Sequence, residues 1–350
     1  MDSILLFCMC FLIGITALPL IRRSDWWIRF CDFPRVQILV FQIALFTIYV
    51  SMYSLDTVVE WIVLSLLVCA FLFQCYRIYP YTPLHHMQSL VSERDEPERK
   101  FSLIVANIEM GNRNAEIFKQ LIRESDPDFI FAAETDAWWT NQLSFLEDEY
   151  PHKVLQPQDN FYGFNFYSRL PLKDTTVQYY VMDDIPSLHT LIQLRNGDWI
   201  EFFGLHPRPP EVYSSSVQRD AELVVVARKI RHKEHPIVVA GDLNDVAWSY
   251  TTRLFQEISG MLDPRVGRGF YNTFDARRWY LRYPLDHVFH TRDFRLVELR
   301  ILPFIGSDHF PVFVRLSHEP EITHEQVLLT PDEEDLEHAR QILERTRELE

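Results

Sequence analysis

The chain has 350 residues, with 34 Lys and Arg against 49 Asp and Glu, a formal net charge of −15 and 47% hydrophobic content. That length holds one large domain plus an additional part, and the acidic balance weighs against tight nonspecific binding of duplex nucleic acid, which needs a basic face. All five cysteines, Cys8, Cys10, Cys31, Cys69 and Cys75, fall within the first 81 residues, which excludes disulfides and cysteine-bound structural zinc from the remainder.

Ile4–Ile21, Val36–Tyr53 and Val58–Ile78 are apolar stretches long enough to cross the hydrocarbon of a bilayer as helices. Trp26, Trp27, Tyr49, Tyr53, Trp61, Tyr76, Tyr79 and Tyr81 gather near their ends, where amphipathic rings favour the headgroup layer. A cleaved signal peptide is the alternative for the first stretch, but it has no basic leader and Asp2 is acidic. The loop after the first stretch holds Arg22, Arg23, Arg29 and Arg35, and the loop around Ser54–Thr57 holds no Arg or Lys. The positive-inside rule therefore leans the first loop, and everything after residue 80, toward the cytoplasm. The predicted organisation is an all-α membrane anchor over 1–81, a polar linker over 82–100, a catalytic domain over 101–316 and an acidic tail over 317–350. In the tail, Thr330-Pro331-Asp332-Glu333 reads as a capping box with Pro in the first turn. Leu336, Ala339, Leu343 and Thr346 then recur at helical spacing, which suggests a solvated helix with one weakly apolar stripe.

Between residues 101 and 316 the apolar runs share a habit. Phe101–Ala106 leads to Asn107, Asp128–Ala133 to Glu134, Trp199–Leu205 to His206, Pro236–Gly241 to Asp242-Leu243-Asn244, and Tyr283-Pro284-Leu285 to Asp286. Near the end, Gly306-Ser307-Asp308-His309 stands at the mouth of the run Pro311–Leu316. Short runs rich in Val, Ile and Phe are buried strands, and the segments Ala115–Glu124 and Ser216–Arg231 between them carry helical patterns. Alternating strand and helix implies an α/β domain whose strand ends converge on one rim, the usual ligand site of such folds. An Asn or Asp after a strand is by itself an ordinary turn former. Six such sites together supply carboxylates, carboxamides and imidazoles, and the oxygen ligands suit Mg²⁺ or Mn²⁺.

In this order, Asn107, Glu134, Ser168-Arg169-Leu170-Pro171, His206, Gly241-Asp242-Leu243-Asn244, Leu285-Asp286 and Ser307-Asp308-His309 resemble the endonuclease/exonuclease/phosphatase superfamily with its deoxyribonuclease-I-like fold. The resemblance covers roughly residues 100–316 and implies a two-sheet sandwich flanked by helices. It implies Glu134, Asn107 and Asp308 as metal ligands, Asp286 orienting His309 for proton transfer, Asp242 positioning the attacking water and Asn244 contacting phosphoryl oxygens. His206 is similar to a second histidine that aids the leaving oxygen in the nuclease and sphingomyelinase branches. Similar three-span anchors precede the domain in some bacterial members, which implies a bacterial inner-membrane protein. Two departures, His287 after Asp286 and the stiff Pro207-Arg208-Pro209-Pro210 run, bear on the substrate.

Arg265, Arg268, Arg277, Arg278 and Arg282 are interleaved with Phe270, Tyr271, Phe274, Trp279 and Tyr280. Such a loop can stack bases while neutralising phosphates, rest on anionic headgroups, or simply carry solvated arginines. With Arg208, its Arg278 and Trp279 are the candidate substrate contacts. The expected function is a membrane-anchored, metal-dependent phosphodiesterase, nuclease-like, acting on nucleic acid. The alternatives are a phosphatase or phospholipase-C-like enzyme on lipid or inositol phosphates, and an inactive scaffold. The N-terminal helices make the bilayer a partner, and no protein partner is identifiable from the sequence.

Overall fold

The computed structural model describes residues 3–210 and 215–348; Asp2 and the last two residues of the acidic tail lie outside them. The N-terminal part comprises α1 (Ser3–Ala17), the single turn α2 (Trp26–Arg29), α3 (Arg35–Met52) and α4 (Val58–Ile78). Three segments, Ser3–Ile21, Arg35–Met52 and Val58–Tyr81, are helices long and apolar enough to cross a membrane. They pack on one another through Met9, Leu12, Ile38, Tyr49, Leu64 and Leu67. Phe7, Phe41, Trp61 and Ile62 point outward, an apolar surface far larger than a soluble monomer exposes. Glu60 has a local reason to sit at the start of α4. Its carboxylate accepts from the Thr57 N–H at 2.9 Å while Thr57 Oγ1 accepts from the Glu60 N–H at 3.3 Å, a reciprocal cap.

The remainder folds as β1 (Lys100–Asn107), α5 (Ala115–Ser125), β2 (Phe129–Ala133), α6 (Ala137–Gln142), β3 (His152–Gln156), β4 (Phe164–Ser168), β5 (Leu172–Gln178), β6 (Ser187–Gln193), β7 (Trp199–Leu205), α7 (Val217–Ile230), β8 (Ile237–Asp242), α8 (Tyr250–Ser259), β9 (Asp286–His290), β10 (Phe294–Ile301), β11 (Val312–His318) and α9 (Glu333–Arg347). One sheet has the order β10-β11-β1-β2-β4-β3 and the other β5-β6-β7-β8-β9. The pairs β1–β2 and β7–β8 are parallel, and every other pair is antiparallel. Leu103 and Val105 of β1 enter the core between the sheets while Ile104 and Ala106 meet α5 and α6 outside. Both faces of the central strands are therefore buried, which is why they read as unbroken apolar runs. Phe166 and Phe202 stack across the sandwich at 5.0 Å. A Cβ on Gly204 would lie 2.4 Å from the Phe131 ring, so the approach of the sheets requires glycine there. The architecture is the two-sheet sandwich flanked by helices, with helical N-terminal segments, that the sequence implies.

Some elements differ from expectation in detail. Tyr283–Leu285 forms only an isolated bridge through Tyr283, and regular pairing starts at Asp286. In the tail the cap is Asp332: its Oδ1 accepts from Asp335 N–H at 2.8 Å, and the Asp335 carboxylate accepts from Asp332 N–H at 3.2 Å. Asp335 also accepts from Tyr250 Oη at 2.9 Å, tying the helix start to the domain. The helix is packed, with Ala339 and Ile342 buried in the cluster that covers the outer face of the second sheet.

The loop between α1 and α3 also rests on the sandwich domain. Trp248 Nε1 donates to Asp32 O at 2.8 Å, and Arg29 Nη2 lies 3.2 Å from Asp220 Oδ2 on α7. Asp220 pairs in turn with Arg219 at 2.8 Å, and Arg219 Nη1 donates to Asn244 O at 2.7 Å. Every side chain of the Arg29–Asp220–Arg219 series is buried.

Candidate active site

The carboxyl ends of β1, β2, β7 and β8 and the entries to β9 and β11 meet on one rim. Asn107 closes β1, and its Nδ2 donates to Glu134 Oε1 at 2.8 Å and to Asp242 Oδ2 at 3.0 Å, joining the two sheets. Glu134 follows β2 with φ +61°, a left-handed conformation rare for glutamate and typical of a residue whose placement matters more than its backbone ease. Its second oxygen accepts from Met110 N–H at 3.2 Å. Burial pushes this carboxyl above its usual range, partly opposed by the Asn107 and Met110 donors and reinforced by the Asp308 charge. Neither donor carries a charge.

The second sheet brings Asp242 at the end of β8. Gly241 before it has φ +148°, and a Cβ there would fall 1.8 Å from Leu205 O, so the Gly-Asp sequence follows from how closely β7 and β8 approach. Asp242 Oδ1 accepts from Asn244 N–H at 2.9 Å. Asn244, at φ +52°, donates Nδ2 to Pro207 O at 3.0 Å, which fixes it against the segment after β7. Asp286 opens β9 and holds His309 Nδ1 at 2.7 Å, leaving His309 Nε2 facing Asp242 Oδ2 at 3.5 Å. Burial works against the imidazolium, but the Asp286 and Asp242 carboxylates outweigh it and push His309 up to about 10. Burial raises Asp242, with the His309 charge pulling the other way. His206 stands 3.9 Å from Asp242 Oδ2 through Nε2 and beside the Tyr162 ring, and its buried Nδ1 has no hydrogen-bond partner. Burial holds its pKa below the ordinary value.

Of the expected site residues, Asn107, Glu134, His206, Asp242, Asn244, Asp286, Asp308 and His309 thus come to one rim. Asp308 is half-buried, 3.5 Å from Ser307 Oγ through Oδ1, and Ser307 Oγ donates to Asn107 O at 2.8 Å. Arg208 is half-buried in the segment after His206. Arg278 points outward and pairs with Asp275 at 3.2 Å, and Trp279 is 80% exposed beside it. The loop's arginine that reaches the rim is Arg277, whose Nη2 pairs with Glu109 and donates to Gly306 O at 3.1 Å. No local signal separates Arg277 from its neighbours in the sequence.

Arg265, from the same cluster, is structural: it pairs with buried Asp263 at 2.8 Å and donates to His287 Nδ1 at 2.6 Å. His287 stays neutral, since burial and Arg265 both depress it, and its Nε2–H donates to Asp245 O at 2.8 Å. The unusual His287 therefore braces the loop behind Asp242 and Asn244.

Asp242, Asp286 and His309 lie close enough together to hold a metal ion. The 2.7 Å bond between His309 Nδ1 and Asp286 Oδ2 fixes the orientation of the imidazole, which favours proton transfer for this group. Glu134 and Asp308, with the Asn107 amide, bring carboxylates together against neutral donors, a hard-oxygen set that fits a divalent cation.

The model of the Endonuclease/Exonuclease/phosphatase family matches residues 104–309, so the chain belongs to that family. Among solved structures it is similar to D. rerio TDP2 complexed with single strand DNA product, at 16% identity and a TM-score of 0.53 over 62% of this chain and 99% of that one. It is also similar to an endonuclease/exonuclease/phosphatase from Beutenbergia cavernae DSM 12333, at 17% identity and a TM-score of 0.52 over 63% of this chain and 72% of the other. A third likeness is a family member from Bacteroides thetaiotaomicron, at 17% identity and a TM-score of 0.51 over 64% and 97% of the two chains. These likenesses establish the fold. No curated protein matches the chain.

Proposed function

We propose that this protein is a membrane-anchored, divalent-metal-dependent phosphodiesterase. The observation that supports this reading most is the unbroken series Asp286–His309–Asp242–Asn107–Glu134, which crosses the rim from one sheet to the other. Glu134, Asn107 and Asp308 would hold Mg²⁺ or Mn²⁺; when bound, the ion neutralises charge building on the phosphoryl oxygens. Asp242 orients the attacking water, and His309, held by Asp286, takes up the proton that the water releases as its oxygen bonds to phosphorus. Asn244, pinned by Pro207 O, presents its side chain to a phosphoryl oxygen. His206 stands nearest the leaving side and assists the departing oxygen. Arg208 and the 276–282 loop supply substrate contacts, with Arg277 nearest the rim.

Nucleic acid is the first substrate reading, supported by the likeness in fold to a protein solved with single-stranded DNA product. A second reading, a phosphate ester held in the bilayer, is favoured by one contact. Tyr280 O accepts from Gln37 Nε2, in the first turn of α3, at 2.8 Å, and Tyr283 packs edge-on to Phe33 at 5.6 Å. The loop that borders the catalytic rim is thereby tied to the end of a candidate span. Full-length protein in nanodiscs, offered single-stranded DNA, duplex, RNA and phospholipid with Mg²⁺, Mn²⁺ or EDTA, tests both. Hydrolysis of one class that EDTA abolishes is the expected result, and full activity in EDTA removes the metal from the reading. The catalytic domain is proposed to face the cytoplasm: a reporter fused near Thr57 should behave as external, and the opposite result reverses the orientation.

A further inference from the structure

Behind the catalytic rim, on the far side of Trp248, lies a second cavity of about 750 Å³. No residue assigned above to the rim lines it, and its size falls within the range of small-molecule sites. One wall is the end of α4 with Tyr76 and Tyr79, both exposed on the same outward surface as the apolar face of that helix. The opposite wall is the start of α8, and the mouth carries Met87 and Val327, the latter 82% exposed. The lining is mostly carbon, with charge at one end.

That charge is positive. Arg77 donates Nη2 to Trp248 O at 2.5 Å, and among the described residues no carboxylate lies within 4.0 Å of its guanidinium. Arg253, also in the lining, is balanced by Glu257 at 2.6 Å, and the acidic lining residue Glu325 is taken up by Arg295 at 2.5 Å. Arg77 is left as a half-buried cation whose one direct partner among the described residues is a carbonyl. The Asp32 carboxylate that acts on it from farther off is already paired with Arg35, and Arg253 adds a second cation, an arrangement that an incoming anion stabilises. The cavity is thus amphipathic, continuous with the outer face of α4, and cationic where a phosphate would sit.

We propose that this cavity binds one anionic phospholipid, with its phosphate on Arg77 and its acyl chains passing between Tyr76 and Tyr79 onto α4. This rests on the reading of α4 as a membrane span. The test is native mass spectrometry of full-length protein in detergent micelles containing EDTA, supplied with equal amounts of dioleoyl phosphatidylglycerol and dioleoyl phosphatidylcholine. Wild type should retain one phosphatidylglycerol with about a tenfold preference, equivalent to about 1.4 kcal/mol. Arg77→Gln should remove the preference. Because Arg77 also holds Trp248 O, His86→Glu, on the exposed cavity wall, provides a second route to the same loss without touching α4 packing. Lys173→Glu, on the β5 edge, is the control for general surface charge. Loss of preference in either cavity variant with Lys173→Glu unchanged supports the proposal. Equal retention of the two lipids by wild type, preference persisting in both cavity variants, or equal loss in Lys173→Glu overturns it. Binding is read in EDTA, so its failure leaves metal-dependent hydrolysis standing. Extraction of the full chain from cells without detergent would instead remove the membrane reading on which it rests.

Discussion

The two sheets bring different chemistry to the same rim. The six-stranded sheet contributes Asn107, Glu134 and Asp308, oxygen-bearing groups set against neutral donors. The five-stranded sheet and the loops after its strands contribute Asp242, Asn244 and Asp286, each held by a specific hydrogen bond, together with His206, which lies 3.9 Å from Asp242. Two side chains cross over: Asn107 from the end of β1 bonds to Asp242, and His309 from the mouth of β11 bonds to Asp286. On the proposed reading, charge binding and proton handling fall to separate halves of the sandwich, so a substitution in one should leave the signature of the other intact.

The largest expected effect is on the first half. Glu134→Gln should lower turnover by about 10³-fold or more, on the scale of lost electrostatic stabilisation, and flatten the response of rate to Mn²⁺ concentration while the circular dichroism spectrum is retained. Wild-type metal response in this variant would break the comparison. Asp286→Asn should come next, with a loss of about 10²–10⁴-fold typical of disabled acid–base catalysis. It should keep the wild-type dependence on Mn²⁺, and a shifted metal midpoint would show that the halves are not separate.

His206→Ala sharpens the second half. On an alkyl phosphodiester it should lose about 10²-fold, but on a nitrophenyl ester, whose anion leaves unaided, it should stay close to wild type. Equal defects on both would point to phosphate binding.

The smallest effect concerns a carboxylate away from the rim. Glu222 of α7 is buried with Ser187 Oγ donating to it at 2.7 Å, and burial raises its pKa to about 7. The folded state holds this proton where the unfolded chain, near 4.3, releases it. Stability therefore falls as pH rises through that window, by about 4 kcal/mol in all. Glu222→Gln should raise the melting temperature at pH 8 and leave it nearly unchanged at pH 4, with activity unaltered. A pH-independent effect would mean that the carboxylate is charged throughout. Burial alone raises Glu222 as it raises Glu134, but only Glu134 has a second carboxylate beside it.

What could be read from the sequence follows from where the information is local. β1, β2, β7 and β8 were legible because burial on both faces leaves unbroken apolar runs, and each run ends in the polar residue that reaches the rim. The edge strand β5, with Lys173, Asp174, Thr175 and Thr176 facing solvent, carries no such signal. The tail cap moved from Thr330 to Asp332 because Asp335 answers it reciprocally and is itself held by Tyr250, 85 residues away. Arg277 could not be told from Arg278, because its partners Glu109 and Gly306 arrive from distant parts of the chain. His287 looked like a departure bearing on substrate, and only its contact with Asp245 reveals a bracing role.

The buried series from Arg29 through Asp220 and Arg219 to the carbonyl of Asn244 has a consequence for modularity. Deleting Arg29 together with the N-terminal helices would strip a buried carboxylate of one cation, and losing one partner of such a pair typically costs about 3–5 kcal/mol. That cost would fall on the backbone that carries Asn244 at the rim. The N-terminal helical part is therefore no interchangeable segment: a foreign helix grafted before residue 82 would leave the loop after β8 without the buried arginine it leans on. In descent, the sequence between the first two spans and the loop after β8 should have been constrained to change together, as parts of one machine.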